Sequence, residues 1–477
     1  MSLDPKHFVN VGKRGTFAPS GTLASDPDQV DALFAHLRQQ SVDKLVLHFH
    51  GGLVKEAAGI AIAQKLHQTY TGAGCHPVFF VWETGLGETL KANLGSIHGT
   101  TLFQKLTKYA LKYAAKKLGV GPEGARGDGD APMTFDEIDA QLAGDRFEAF
   151  DVVARSGAER IDPDDLETDE QMLAAELEVE LAADEELEAA VESVDLDAAP
   201  DEALRQQLAT PEGARGALEI AIALGKYLAK VVIGVVKRYL GKTQHGFYPT
   251  LVEELLRTAY LANLGEWVWK GMKDQARWMW EPNDGLSGLD QRAGRYFLDR
   301  LSALQKERGF ALDLVGHSAG SIAIGEMLDE AAKSAPVSVR NVALLAPAIR
   351  SDQFLRQYVD PAPARFDALR VYTMSDAYEA KDRLASVAYP RSLLYFISGV
   401  LEGEPGTPLL GLQRYWSDPP HQSDVITRVG RWVAGQGRHA LSVTADGASD
   451  GFGTRSVSHG GFDDDDHTKA SLAHFLA

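Results

Sequence analysis

The stretch Asp313-Leu314-Val315-Gly316-His317-Ser318-Ala319-Gly320-Ser321 decides how this chain is read. Residues 310–315 are an apolar run of strand character. Residues 319–330 carry helical spacing, with Ile322, Ile324, Met327 and Leu328 apolar. Between them lies Gly-x-Ser-x-Gly, centred on Ser318. A strand that turns at once into a helix holds the central serine on a sharp, strained corner and projects its hydroxyl above the carboxyl ends of the strands. Gly316 and Gly320 lack the Cβ atoms that would collide as helix and strand crowd together. The N–H of Ala319 falls at a helix N-terminus, where it can receive negative charge. Five residues of this kind are a weak pattern by themselves; the flanking strand and helix supply its structural condition.

Working upstream, residues 44–49 form a mostly apolar strand of the kind buried on both faces. His50-Gly51-Gly52-Leu53 follows it, and two glycines there let the backbone approach a substrate closely. A helix over 55–70 and a second buried strand over 78–82 continue the alternation. Strand–helix–strand order points to a parallel sheet with right-handed crossovers. Residues 1–30 read as irregular until a helical pattern begins at Asp28.

The alternation then stops for about two hundred residues. Residues 87–119 are largely helical, with Lys105, Lys108, Lys112, Lys116 and Lys117 near the end. From 121 to 215 there are 29 acidic residues, six arginines and no lysine, a charge of −23, against −19 for all 477 residues. Such a segment is expected to be solvated or partly disordered; the sharper expectation is an acidic arm folded back on the basic helix at 105–117. Residues 217–240 form a helix in which Glu219, Lys226, Lys230 and Lys237 share a narrow stripe and most of the remaining surface is apolar, so most of it must be covered. It reads as a core helix of a helical cap, or as a lid lying on a lipid surface. Four of the seven tryptophans fall within 267–280 and suit a core or the wall of an acyl pocket.

Composition narrows the function. Strong negative charge argues against nucleic acid as a partner. The single cysteine excludes an intramolecular disulfide. No signal peptide and no run long enough to span a bilayer is seen, so a cytoplasmic protein is expected. Nothing in the sequence sets the oligomeric state.

Downstream of Ser318 the alternation resumes, with strands over 337–346, 369–374 and 439–444 and a closing helix over 468–475. A serine hydroxyl needs a base to take its proton and an acid to hold that base in the right tautomer. In a doubly wound sheet such groups sit after the carboxyl ends of later strands. Asp376 follows the second strand after Ser318, and His459 lies in the loop after the last. Asp352, Glu379 and Asp382 compete for the acid. Among rival bases, His439 starts its strand, and His467 and His474 lie in or beside the closing helix. His317 should point away from the corner. The run Asp463-Asp464-Asp465-Asp466 lacks the alternate spacing of a Ca²⁺ loop and reads as a solvated helix start.

The Ser…Asp…His order, with His50-Gly51-Gly52 upstream, resembles the α/β-hydrolase superfamily, of lipase and esterase type, over 1–86 and 285–477. The fold this implies is α/β, a doubly wound, mostly parallel sheet. A mainly helical, acidic insertion over 87–284 has no counterpart in the resemblance. The resemblance further implies Ser318 as nucleophile, His459 as general base and Asp376 as orienting acid, with the oxyanion hole formed by N–H groups of Ala319 and of Gly52 or Leu53. His50, Gly51, Gly316, His317 and Gly320 support the two loops. The implied activity is hydrolysis of a small-molecule or lipid carboxylic ester through an acyl-enzyme, with no cofactor and no metal. The rivals are a lipid-surface lipase or phospholipase with 217–240 as its lid, and a binding or scaffold protein that keeps the fold without the chemistry.

Overall fold

The computed structural model describes residues 3–19, 23–51, 56–82, 86–124, 126, 133–144, 147–193, 204, 217–260, 266–385, 388–417, 423–444 and 451–477. The chain divides into two compact units. The first comprises Met1–Thr89, Trp267–Asp382 and Pro408–Ala477, the second Leu90–Glu266 and Arg383–Thr407.

The first unit holds seven parallel strands: β1 (Phe8–Val11), β2 (Lys44–Phe49), β3 (His76–Trp82), β4 (Ala311–His317), β5 (Val339–Leu345), β6 (Phe366–Met374) and β7 (His439–Ser442). Their order is β1-β3-β2-β4-β5-β6-β7. Alternate side chains of each strand serve opposite faces. On one face Val46, Phe79, Val315, Ala343, Leu345 and Tyr372 pack with Leu66 and Tyr70 of the helix Glu56–Gly72 and with Leu472 and Leu476 of the helix Asp466–Leu476. On the other, Phe49 stacks on Phe80 at 4.6 Å, and Phe80 meets Trp280 and Phe297. Phe297 belongs to the helix Ala293–Arg308 and touches Phe34 of the helix Pro27–Gln39. Helices therefore cover both faces, as the near-continuous apolar strands demand. Trp280 is core: its indole N–H donates to the carbonyl of Ala323.

Two expectations are corrected here. Residues 1–30 are not all irregular, because Phe8–Val11 is an edge strand paired with β3. Four residues between Pro5 and Gly12 are too few to show a period. The boundary of the insertion also moves: 267–284 belongs with the sheet, and 383–407, assigned from sequence to the catalytic part, belongs with the helices.

In the helical unit the acidic arm lies along the basic helix Thr101–Lys117. Lys105, Lys108, Lys112 and Lys116 recur every three or four residues and so form one stripe. Lys105 pairs with Asp184 at 2.9 Å, Lys112 with Glu180 at 2.5 Å and Lys116 with Glu176 at 2.6 Å, and Lys117 pairs with Asp169. The partners run in reverse order, so the helix Leu166–Ala182 is antiparallel to its basic neighbour. Over 133–144 and 147–193 the acidic segment is thus folded, largely as helices, and not a solvated coil.

The helix Ala217–Leu240 packs on Leu166–Ala182, Thr101–Lys117 and Phe247–Ala259. Its Leu224, Leu228, Val231, Val232, Val235 and Val236 are buried. The apolar surface that a lipid-facing lid would need is already covered by its own unit. Among the described residues no helix is long and apolar enough to cross a membrane.

Candidate active site

β2 and β4 are neighbours in register, with Phe49 opposite Gly316. The residues that follow these two strands therefore emerge side by side. Ser318 takes a φ of 52°, the strained left-handed backbone expected of a strand–helix corner. Its N–H donates to the carbonyl of Leu345 at 2.8 Å, and its own carbonyl accepts from Ala348 at 3.1 Å, so neighbouring segments over-determine the strain. Ala319 is the buried N-cap residue of the helix Gly320–Ser334. A Cβ at Gly320 would fall 2.2 Å from the carbonyl oxygen of Phe49, which accounts for that glycine.

His459 opens the short turn His459–Gly461. Its Nε2 lies 3.0 Å from the hydroxyl of Ser318, and both side chains are buried. Gly51 faces them, since a Cβ there would sit 3.3 Å from the Cβ of Ser318. His50 holds that loop: its Nδ1–H donates to the carbonyl of Gly51 at 2.8 Å, and its Nε2 accepts the N–H of Trp82 at 3.2 Å. Gly52 and Leu53, the expected oxyanion donors, lie outside the described residues.

The orienting acid is where structure and expectation part. Asp376 begins the helix Asp376–Glu379, its N–H bonded to the side chain of Gln413 at 2.8 Å. Its carboxylate is not on the histidine: Nδ1 of His459 is buried and has no hydrogen-bond partner among the described residues. Asp382 does reach this residue, accepting the main-chain N–H of His459 at 2.7 Å. Asp352 chelates Arg350, with two contacts of 2.9 Å. Among the rival bases, His439 bonds Thr373 and His467 and His474 are exposed.

The aspartate run is not a solvated stretch throughout. Asp463 is buried, and its Oδ2 meets Nδ1 of His317 at 2.7 Å. Nε2 of His317 meets the carbonyl oxygen of His459 at 2.9 Å. Asp464 pairs with Lys65, Asp465 caps the last helix, and Asp466 pairs with Lys469. Among the described residues no group of three or more could hold a metal ion. Sequence reasoning put His317 pointing away from the serine, which it does, but missed Asp463 as its partner.

Burial, reinforced by the nearby His317 and only partly opposed by Asp463, pushes the His459 ring down to about 3. Burial likewise takes His48 and His50 to about 4. His317 goes the other way. Burial would lower it, but the charge and hydrogen bond of Asp463 and the carbonyl of His459 outweigh burial and raise it. Burial would raise Asp463; His317, with His48 and His50, overcomes this and lowers it. The arrangement is thus an imidazole held toward its neutral form on a serine hydroxyl, with a second imidazole behind it held toward its charged form.

No protein-family model, no curated protein and no solved structure matches this chain.

Proposed function

We propose that this protein is a serine hydrolase that cleaves carboxylic esters through an acyl-enzyme. The observation that carries the reading is the 3.0 Å contact between Ser318 Oγ and His459 Nε2 at a strained strand–helix corner. Neutral His459 accepts the hydroxyl proton as Oγ attacks the ester carbon. The oxyanion that forms is received by the N–H of Ala319 and one of the following loop N–H groups, Gly52 or Leu53; each such donor is worth about 3 kcal/mol to the transition state. His459 then returns the proton to the leaving alcohol. Water, deprotonated by the same nitrogen, attacks the acyl-enzyme and releases the acid and Ser318.

With Nε2 accepting from the serine, Nδ1 carries the other proton, and an unpaired buried donor costs about 1–3 kcal/mol. Catalytic hydrogen bonds in unliganded sites often close only around substrate. Asp382 is our choice for the carboxylate that closes on Nδ1, because it already holds the N–H of the same residue. Asp376 is second. The lid reading is disfavoured by the burial of 217–240 within its own unit. The scaffold reading leaves the serine–histidine contact without a purpose.

Ser318→Ala tests the proposal. Turnover of p-nitrophenyl acyl esters should fall by about 10⁶-fold, as for other triad nucleophiles, and labelling by a fluorophosphonate should vanish. Equal labelling of variant and parent ends the assignment.

A further inference from the structure

His317 and Asp463 take no part in the steps above, yet they sit directly behind the base. The two rings, His317 and His459, are 5.5 Å apart between centroids. Both nitrogens of His317 meet oxygens: Nδ1 the carboxylate of Asp463, Nε2 the main-chain carbonyl of His459. A carbonyl can only accept, and an ionised carboxylate can only accept. Beside an ionised Asp463, a neutral imidazole has one N–H and would leave one of these contacts as two facing lone pairs. The raised His317 and the lowered Asp463 favour that ionised form, an imidazolium and a carboxylate, over a neutral pair with the proton on the carboxyl, and the side chains are sealed from water at 6% and 3% exposed.

Residue 459 is consequently held at both ends of its backbone by ionisable side chains. Its C=O is held by His317 and its N–H by Asp382. We propose that His317 and Asp463 form a charged clamp that positions the catalytic histidine and sets the pH window of turnover. This rests on the hydrolase reading of Ser318 and His459. Neither clamp residue touches the reacting atoms, so both are positioning residues.

Two effects follow, with opposite signs in pH. Burial, with the positive charge of His317 added to it, keeps His459 neutral well below the pH at which a free histidine is half protonated. That extends activity on the acid side. As pH rises through the elevated value of His317, the ring loses one N–H, and the carbonyl of His459 loses its anchor. That ends activity on the alkaline side. The groups around the clamp are His48 and His50 at the end of β2, Tyr70 from the helix Glu56–Gly72, Ser318, His459 and Asp463 itself. Of these only Asp463 is anionic at neutral pH.

The test is the pH profile of kcat/KM for p-nitrophenyl acetate with the full chain and two variants. The parent should show an acid limb well below 6.5 and an alkaline limb above it. In Asp463→Asn the alkaline limb should move toward neutrality, with kcat falling about tenfold and KM little changed. In His317→Gln the alkaline limb should disappear and the acid limb should move up. Limbs that stay in place while all rates scale down would mean a merely structural role and overturn the clamp. A second measurement needs no variant and no activity: in ¹⁵N-edited imidazole spectra of the parent at pH 7, both His317 nitrogens should carry protons. A singly protonated ring overturns the clamp even if the enzyme hydrolyses esters. Absence of fluorophosphonate labelling ends the hydrolase reading even if the ring is charged, so the two failures are distinct.

Discussion

Two sets of opposite charges in this molecule work in opposite ways. Along the helix Thr101–Lys117, lysines and acids form a row of pairs at the unit's surface, each partly wet and each with neighbours able to share its load. Behind His459 there is one sealed pair, His317 with Asp463. Exposed pairs are worth about 0.2–1 kcal/mol each and weaken with salt. A sealed pair contributes little net stability compared with apolar packing, but removing one partner strands the other charge. Solvent access, more than the number of contacts, decides whether an ion pair acts as adhesive or as a fixed point.

Asp463→Ala should show the sharpest contrast. It leaves the His317 charge without its counter-ion and should destabilise the fold by about 3–5 kcal/mol in urea titrations; a loss below about 1 kcal/mol would put the pair in the same class as the lysine row. Asp382→Ala should cost about 10²-fold or more in kcat, and Asp376→Ala clearly less. The reverse ranking would return the acid to Asp376.

Acidification probes the buried rings together. His48, His50 and His459 remain neutral in the folded protein far below 6.5, whereas the unfolded chain binds protons there. Their contribution is present above 6.5 and is lost as pH falls below it, at about 1.4 kcal/mol per pH unit for each ring. His317 works with the other sign: its contribution is full below 6.5 and is lost as pH rises through its elevated value. A flat urea midpoint between pH 6.5 and 4.5 would contradict the neutral rings.

The smallest effect belongs to the surface row. Lys112→Ala should cost no more than about 1 kcal/mol at low ionic strength, and less in about 0.5 M salt. A salt-independent loss would show that the charge of Lys112 is not what matters.

Much of this was legible in the sequence because it depends on local rules. Long apolar runs announced β2, β3 and β4, and the glycine–serine corner after β4 marked residue 318. The edge strand Phe8–Val11 escaped because four residues carry no period, and its pairing partner is β3, 71 positions further along the chain. Asp463 escaped for a different reason. In a run of four identical residues nothing local separates one from the next; only a histidine 146 positions upstream does. The contact of Asp382 with the main-chain N–H of His459 was similarly hidden, since Asp376, Glu379 and Asp382 lie within seven residues and nothing local separates them.

The return of Arg383–Thr407 to the helical unit has a consequence for how the protein is made and for how it can be cut down. Tyr389, Tyr395, Phe396, Ile397 and Val400 are buried, and Tyr389 donates its hydroxyl proton to Glu253, a buried carboxylate that Arg238 and His245 also contact. Gly399 is crowded against that carboxylate so closely that a Cβ would sit 2.3 Å from it. Excising 90–266 would therefore leave a greasy strip with nothing to cover it, and such a truncation should aggregate instead of yielding a minimal sheet. During translation the ribosome will already have released six of the seven strands before the last piece of the helical unit emerges. The helical unit must then wait, unfinished, for a segment encoded more than a hundred codons downstream.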